Sequence, residues 1–204
     1  MDIEARKWIA GKNFDRKKNP LLDPKVCQEM VNGTNRKYNL DFSYGGWMED
    51  RSFLWKGSYL DGKKIYVHLG IDISARAGTP IAATFDAEAV KIDDDHPEAG
   101  GWVTRIILKH IAEPLYFIYA HLDRKVECRV GDVLKAGDIF AKVGKPPFNG
   151  NWFEHLHFQA IAEEYYREIA ENNLWDELDG YGSEKDIELN ARRYPDPIRF
   201  ILGD

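Results

Sequence analysis

Two histidines stand two residues apart in Phe153-Glu154-His155-Leu156-His157-Phe158-Gln159. Side chains at i and i+2 share one face of a β-strand. Their Cα atoms would lie roughly 6.6 Å apart, at about 3.3 Å per residue. That separation suits one histidine on a metal and the other at the reacting group beside it. The strand pattern leaves open which is which. Taken alone, a half-buried strand with two incidental histidines explains the pair equally well.

Two further groups change that balance. The first is His68-Leu69-Gly70-Ile71-Asp72. On a straight strand His68 and Asp72 would be about 13 Å apart, whereas ligands of one zinc need bonds of about 2.0–2.2 Å. The two share a metal only if the chain bends between them. Gly70 permits such a bend and leaves room for an ion. The second group is Tyr119-Ala120-His121-Leu122-Asp123, where His121 ends an apolar strand. Two His and one Asp supply three protein ligands and leave a fourth position for water, the plan of a catalytic zinc site. Two histidines remain, suited to a general base and a stabiliser of developing charge. No Ser or Cys with a base partner competes as a nucleophile.

The elements that must position these residues are mostly β. From Lys64 onward, strands are expected at 65–73, 81–83, 88–92, 102–110, 115–122, 139–144 and around His155. Gly-containing turns such as Ala77-Gly78-Thr79-Pro80 separate them, and 102–110 with 115–122 read as a hairpin. Short strands so closely spaced predict an antiparallel sheet or small barrel. A helix is expected over Glu163–Asn172, then a polar loop over Leu174–Tyr194, then a Pro-rigidified return ending in the apolar Ile198-Arg199-Phe200-Ile201-Leu202. Residues 1–39 read as a helical lead-in. Asp23-Pro24 is its N-cap and first-turn signal, and Asn32-Gly33 offers a left-handed end. Residues 40–56, with Tyr44-Gly45-Gly46-Trp47, read as an irregular loop covering something.

Composition bounds the function. An apolar share of 44%, with 6 Trp, 10 Tyr and 10 Phe, fills one substantial core. The net charge of −6 gives no reason to expect a nucleic-acid partner. No apolar run approaches the roughly 18 residues of a membrane span. Met1-Asp2-Ile3-Glu4-Ala5-Arg6-Lys7 has no apolar core and is no signal peptide. That leaves a cytoplasmic protein, export by another route, or an absent leader. Cys27 and Cys128, far apart in unlike contexts, read as two reduced thiols. His96 and His110 read as a solvated loop residue and a peripheral residue. Asn149-Gly150-Asn151-Trp152 suits a tight turn or donors to a substrate backbone.

The three groups, in this order, resemble the lysostaphin/LytM-type zinc metalloendopeptidases. That family carries a His-x-x-x-Asp motif, a lone His at a Tyr-x-His-Leu strand end, and a late His-x-His. Here these are His68 and Asp72, His121, then His155 and His157. His-Leu-Gly-Ile-Asp-Ile, Gly-Thr-Pro-Ile-Ala-Ala and Gly-Asp-Val-Leu-Lys-Ala-Gly-Asp agree as well, so the likeness runs from about Lys64 to Ile161. The resemblance implies His68, Asp72 and His157 as zinc ligands, with His121 and His155 as the catalytic histidines. It implies a mainly β fold, an antiparallel sheet or small open barrel of the duplicated hybrid-motif type. A helical N-terminal segment and a short C-terminal helix accompany it. Residues 1–62 would be a lid or scaffold and residues 63–204 the zinc peptidase domain. The expected activity is hydrolysis of peptidoglycan cross-links or stem peptides, or of another peptide. The alternative is a non-catalytic, partner-binding or regulatory member. Such members normally lose ligands, and all five positions are filled here. A lipoyl or sugar-phosphotransfer carrier barrel would not predict this His and Asp set.

Overall fold

Of the residues expected to do chemistry, Asp72, His121, His155 and His157 lie on one antiparallel sheet, and His68 lies on a two-stranded ribbon beside it. The structure is a computed structural model that describes residues 20–55, 60–95 and 100–202. Its strands are β1 (Tyr44–Gly45), β2 (Val67–His68), β3 (Ile71–Ser74), β4 (Pro80–Ala82), β5 (Ala87–Asp94), β6 (Thr104–His110), β7 (Leu115–Leu122), β8 (Val133–Leu134), β9 (Ile139–Lys142), β10 (His155–Ala162) and β11 (Tyr181–Gly182). Seven of them form the main sheet in the order β1-β3-β10-β7-β6-β5-β8, while β11 pairs with β2 and β4 with β9. The main sheet is open: two-residue strands close off its edges. β6 and β7 form the expected hairpin.

Both faces of the central strands are buried, which is why they read as nearly continuous apolar runs. Ile106, Leu108, Phe117, Tyr119, Phe158 and Ala160 pack on one side with Phe140. Ile107, Ile118, Ala120 and Ile161 pack on the other with Tyr165 and Ile169 of the helix Glu163–Asn172. The C-terminal return ends as expected, with Ile198, Phe200 and Ile201 against the first cluster. An edge-to-face ring pair carries part of that contact, with Phe117 to Phe200 centroids at 4.6 Å.

The N-terminal helix, α1 (Pro24–Tyr38), starts as expected: the Asp23 side chain accepts from Lys25 N. It does not stop at Asn32-Gly33. Met30 and Val31 are buried just before that pair, and their packing outweighs the roughly 1 kcal/mol that a mid-helix glycine costs. Asn39, at φ 51°, supplies the left-handed cap instead. Residues 40–55 are not merely a covering loop. β1 joins the sheet edge, and Leu54 and Trp55 are core residues with Cys27, Met30 and Phe153. The segment 174–194 is not loop throughout either; it contains β11 and the helix Ile187–Arg193. Asn190 is the residue that helix buries, so no apolar stripe marked it. His96 and the start of the lead-in lie outside the described residues.

The chain bends at Leu69-Gly70, between β2 and β3. A Cβ on Gly70 would lie 2.7 Å from Phe158 O and 2.8 Å from His157 Nε2. Backbone cannot yield there as a surface side chain would. Gly70→Ala is therefore expected to destabilise the fold by about 1–3 kcal/mol, read from urea melts. An unchanged midpoint would show that the bend tolerates a side chain.

Candidate metal centre

Strand register assembles the site. β10 lies between β3 and β7, and His157 is opposite both Asp72 and Ala120. Directly paired residues share a face, so Asp72, His157 and, two residues back, His155 all project to one side. His68 arrives from β2, across the Gly70 bend.

His121 does not belong to that face by alternation. It follows Ala120, whose side chain already points there. A bulge brings it round. Thr104 pairs with Leu122 and Ile106 with Tyr119, so β7 spends one residue more than β6 over this interval. His121 sits in the left-handed region at φ 61°, a conformation unusual for a non-glycine residue. Such bulges re-aim side chains. His121 thereby comes within 4.6 Å of His155, ring centre to ring centre. Gly144 N donates to His121 O, and a Cβ on Gly144 would come within 2.7 Å of that oxygen. Only glycine can close this corner.

Among the described residues, the ligand atoms of His68, Asp72 and His157 lie within 4.8 Å of one another. His68 Nε2 is 3.2 Å from His157 Nδ1. Asp72 Oδ1 is 2.9 Å from His157 Nδ1 and 3.3 Å from His68 Nε2. A tetrahedral ion with bonds near 2.0–2.1 Å has ligand-to-ligand edges of about 3.3 Å. The triangle therefore has the right size for zinc.

The protons point elsewhere. His68 Nδ1 is 3.0 Å from Gly46 O and must donate to it, leaving Nε2 as a lone pair. His157 Nε2 is 2.9 Å from Gln159 Oε1 and donates there, leaving Nδ1 as a lone pair. The Gln159 amide is held in turn by its donation to Asp179 O. In these tautomers His68 Nε2, His157 Nδ1 and Asp72 Oδ1 turn towards one point. Outer contacts of this kind fix ligating histidines.

All five residues are buried, none more than 7% exposed. Burial, aided by the Arg51 charge, pushes His68 down to about 4. Burial also lowers His155 and, more strongly, His121, where neighbouring imidazoles add to it. Burial opposes charge on Asp72, but the His68 imidazole and the Arg51 guanidinium outweigh it and hold the carboxyl well below its usual range. His155 Nδ1 donates to Phe153 O at 2.7 Å, so its Nε2 faces Asp72 Oδ1, 3.5 Å away, as an acceptor. His121 Nδ1 has no partner among the described residues.

A cleft opens onto this group, walled by Trp55, Trp102, Trp152, Phe153 and Tyr181. Trp152 follows Asn149-Gly150-Asn151, which is turn chemistry as its left-handed Gly150 and Asn151 show. His110 is apart from the site, its Nδ1 accepting from Ala112 N and Glu113 N at the hairpin end. Cys27 and Cys128 are free and buried. Sequence reasoning missed Arg51, Gln159, Trp102 and Tyr181. Gln159 could have been found, since it lies two residues beyond His157 on the same strand face. Arg51 and Tyr181 carry no local signal.

A β-sheet that gathers buried histidines and an aspartate into one metal-sized triangle defines a candidate metal centre. Residues 66–168, just over half the chain, match the model of peptidase family M23, and the chain belongs to that family. Similar solved structures include the catalytic domain of the antimicrobial peptidase lysostaphin from Staphylococcus simulans, at 23% identity, covering 67% of this chain and 86% of that one, TM-score 0.48. A mutant catalytic domain of the prophage-encoded M23 protein EnpA from Enterococcus faecalis is 25% identical over 60% of this chain and 82% of that one, TM-score 0.45. LytU is 28% identical over 66% and 79%, TM-score 0.42. No curated protein matches the chain. Among the described residues no helix is long and apolar enough to cross a membrane.

Histidine burial gives a pH dependence for the metal-free protein. Folded His68 stays neutral down to about 4, while the unfolded chain protonates it below about 6.5. Between those values the unfolded state binds more protons, so stability rises with pH. It is complete above about 6.5 and is lost as pH falls towards about 4. Urea melts of chelator-treated protein across that window should show this slope. A flat profile would contradict the burial of neutral histidines.

Proposed function

We propose that the protein is a zinc-dependent peptide hydrolase, acting on peptidoglycan cross-links or stem peptides. The observation that carries this is the triangle of metal-ligand atoms on His68, Asp72 and His157, with two further buried histidines beside it. In this reading those three residues are the ligands. When bound there, zinc supplies Lewis acidity that acidifies water and polarises a carbonyl. His155 Nε2, its tautomer set by Phe153 O, accepts a proton from the attacking water. His121 stabilises the charge that develops on the carbonyl oxygen, and the proton taken up by His155 goes to the leaving amine nitrogen as the C–N bond breaks. The tryptophan-lined walls exclude bulk water, which strengthens these interactions.

The N-terminal segment acts in this reading as scaffold and not as a lid. Its β1 extends the sheet, and Gly46 O fixes the tautomer of His68. Residues 63–204 then form the peptidase unit, completed by the described part of residues 1–62.

Elemental analysis is expected to find about one zinc per chain, and His157→Ala to remove it. Retention of zinc at full stoichiometry in that variant would overturn the ligand set. His121→Ala should keep the zinc and lower kcat by about 10²–10⁴-fold; unchanged turnover would refute its role. Substrate class is tested by incubating the zinc-loaded protein with purified sacculi and with Gly- and D-amino-acid-containing peptides, read by mass spectrometry. New fragments from sacculi are expected. Metal bound without cleavage of any of them would favour a partner-binding member of the fold.

A further inference from the structure

We propose that Arg51 is the built-in countercharge of this centre: it positions Asp72 and keeps the fold standing when no metal is bound. The proposal rests on reading His68, Asp72 and His157 as the metal ligands.

Arg51 is 1% exposed, among the most deeply buried side chains described. Its Nη1 donates to Asp72 Oδ2 at 2.5 Å and to the Tyr181 hydroxyl at 3.1 Å. Its Nε donates to Glu49 Oε2 at 2.8 Å. The backbone is pinned as well: Arg51 N donates to Tyr66 O, and Arg51 O accepts from Leu54 N and Trp55 N. Trp55 Nε1 donates to the same Tyr181 hydroxyl at 2.7 Å, so that oxygen is held from two sides. The guanidinium cannot swing away from Asp72 without unpacking this cluster.

Its placement divides the carboxylate. Oδ2 is taken by Arg51, and Oδ1 alone faces the two imidazole lone pairs. Asp72 is thereby offered as a single-oxygen ligand, aimed before any ion arrives. Asp72 is 3% exposed, and an uncompensated carboxylate at such a site is strongly unfavourable. A bound dication would compensate it through Oδ1. Among the described residues, Arg51 is the cationic side chain in contact with it in the metal-free protein. Removing the guanidinium should therefore harm the metal-free state far more than the loaded one. Arg51 and Tyr181 both lie outside the family-matched residues 66–168, so flanking segments complete the centre.

The test compares thermal melts of wild type and Arg51→Met, each with chelator and with zinc. Arg51→Met should lower the metal-free Tm by about 10 °C and the zinc-loaded Tm by much less. The zinc-induced rise should thus be larger in the variant. Equal losses in both states would mean that Arg51 merely packs, and the proposal fails. A second arm needs no metal. Asp72→Asn, which removes the charge, should restore part of the metal-free Tm in the Arg51→Met background. Additive losses would overturn the proposal, and this arm decides the matter where Arg51→Met alone does not fold. A wild type that shows no response to zinc would instead overturn the metal reading, and the second arm would still judge the pairing of Arg51 with Asp72.

Discussion

Three lone pairs turned on one point form the constraint around which the molecule is arranged. His68 Nε2, His157 Nδ1 and Asp72 Oδ1 approach within 2.9–3.3 Å of one another, and each is oriented by a partner on its far side. Such a triangle does not arise from packing alone, because burial would favour separating or protonating these groups. Gly46 O, Gln159 Oε1 and Arg51 Nη1 hold it open. Gly46 and Arg51 come from the N-terminal segment and Gln159 from the central strand. Preorganisation of the centre is thus shared between parts of the chain far apart in sequence.

The sheet supplies the precision. Placing β10 between β3 and β7 puts His157 beside Asp72 by register, and no loop has to be ordered to achieve it. The two remaining requirements are met by departures from regularity. Gly70 breaks the strand so that His68 can face Asp72, and the β7 bulge turns His121 to the side its strand position would deny it. Both are backed by backbone approaches close enough to exclude a Cβ, at Gly70 and at Gly144. Strain at His121 is held in place by packing and backbone hydrogen bonds on either side, as expected where geometry serves chemistry.

Much of this was legible in the sequence, for identifiable reasons. The i, i+2 spacing of His155 and His157 places them on one strand face, and the distance from His68 to Asp72 requires a bend that only Gly70 offers. The strands from 65 onward, the hairpin and the helix Glu163–Asn172 announce themselves by turns and periodicity. What stayed hidden depends on long-range contact. Arg51 reads as a charged loop residue until the fold brings it to Asp72. Tyr181 lies in a stretch without pattern, and the helix Ile187–Arg193 has no apolar stripe because it covers Asn190. The left-handed His121 and the end of α1 at Asn39 instead of Gly33 are set by packing, which local propensity does not encode.

The proposed ligand set of His68, Asp72 and His157 is read by X-ray absorption at the zinc edge on protein loaded with one equivalent. A four-coordinate first shell is expected, with two imidazole nitrogens and one carboxylate oxygen at about 2.0–2.2 Å. A shell of oxygens without imidazole scattering, or one containing sulfur from Cys27 or Cys128, would contradict it.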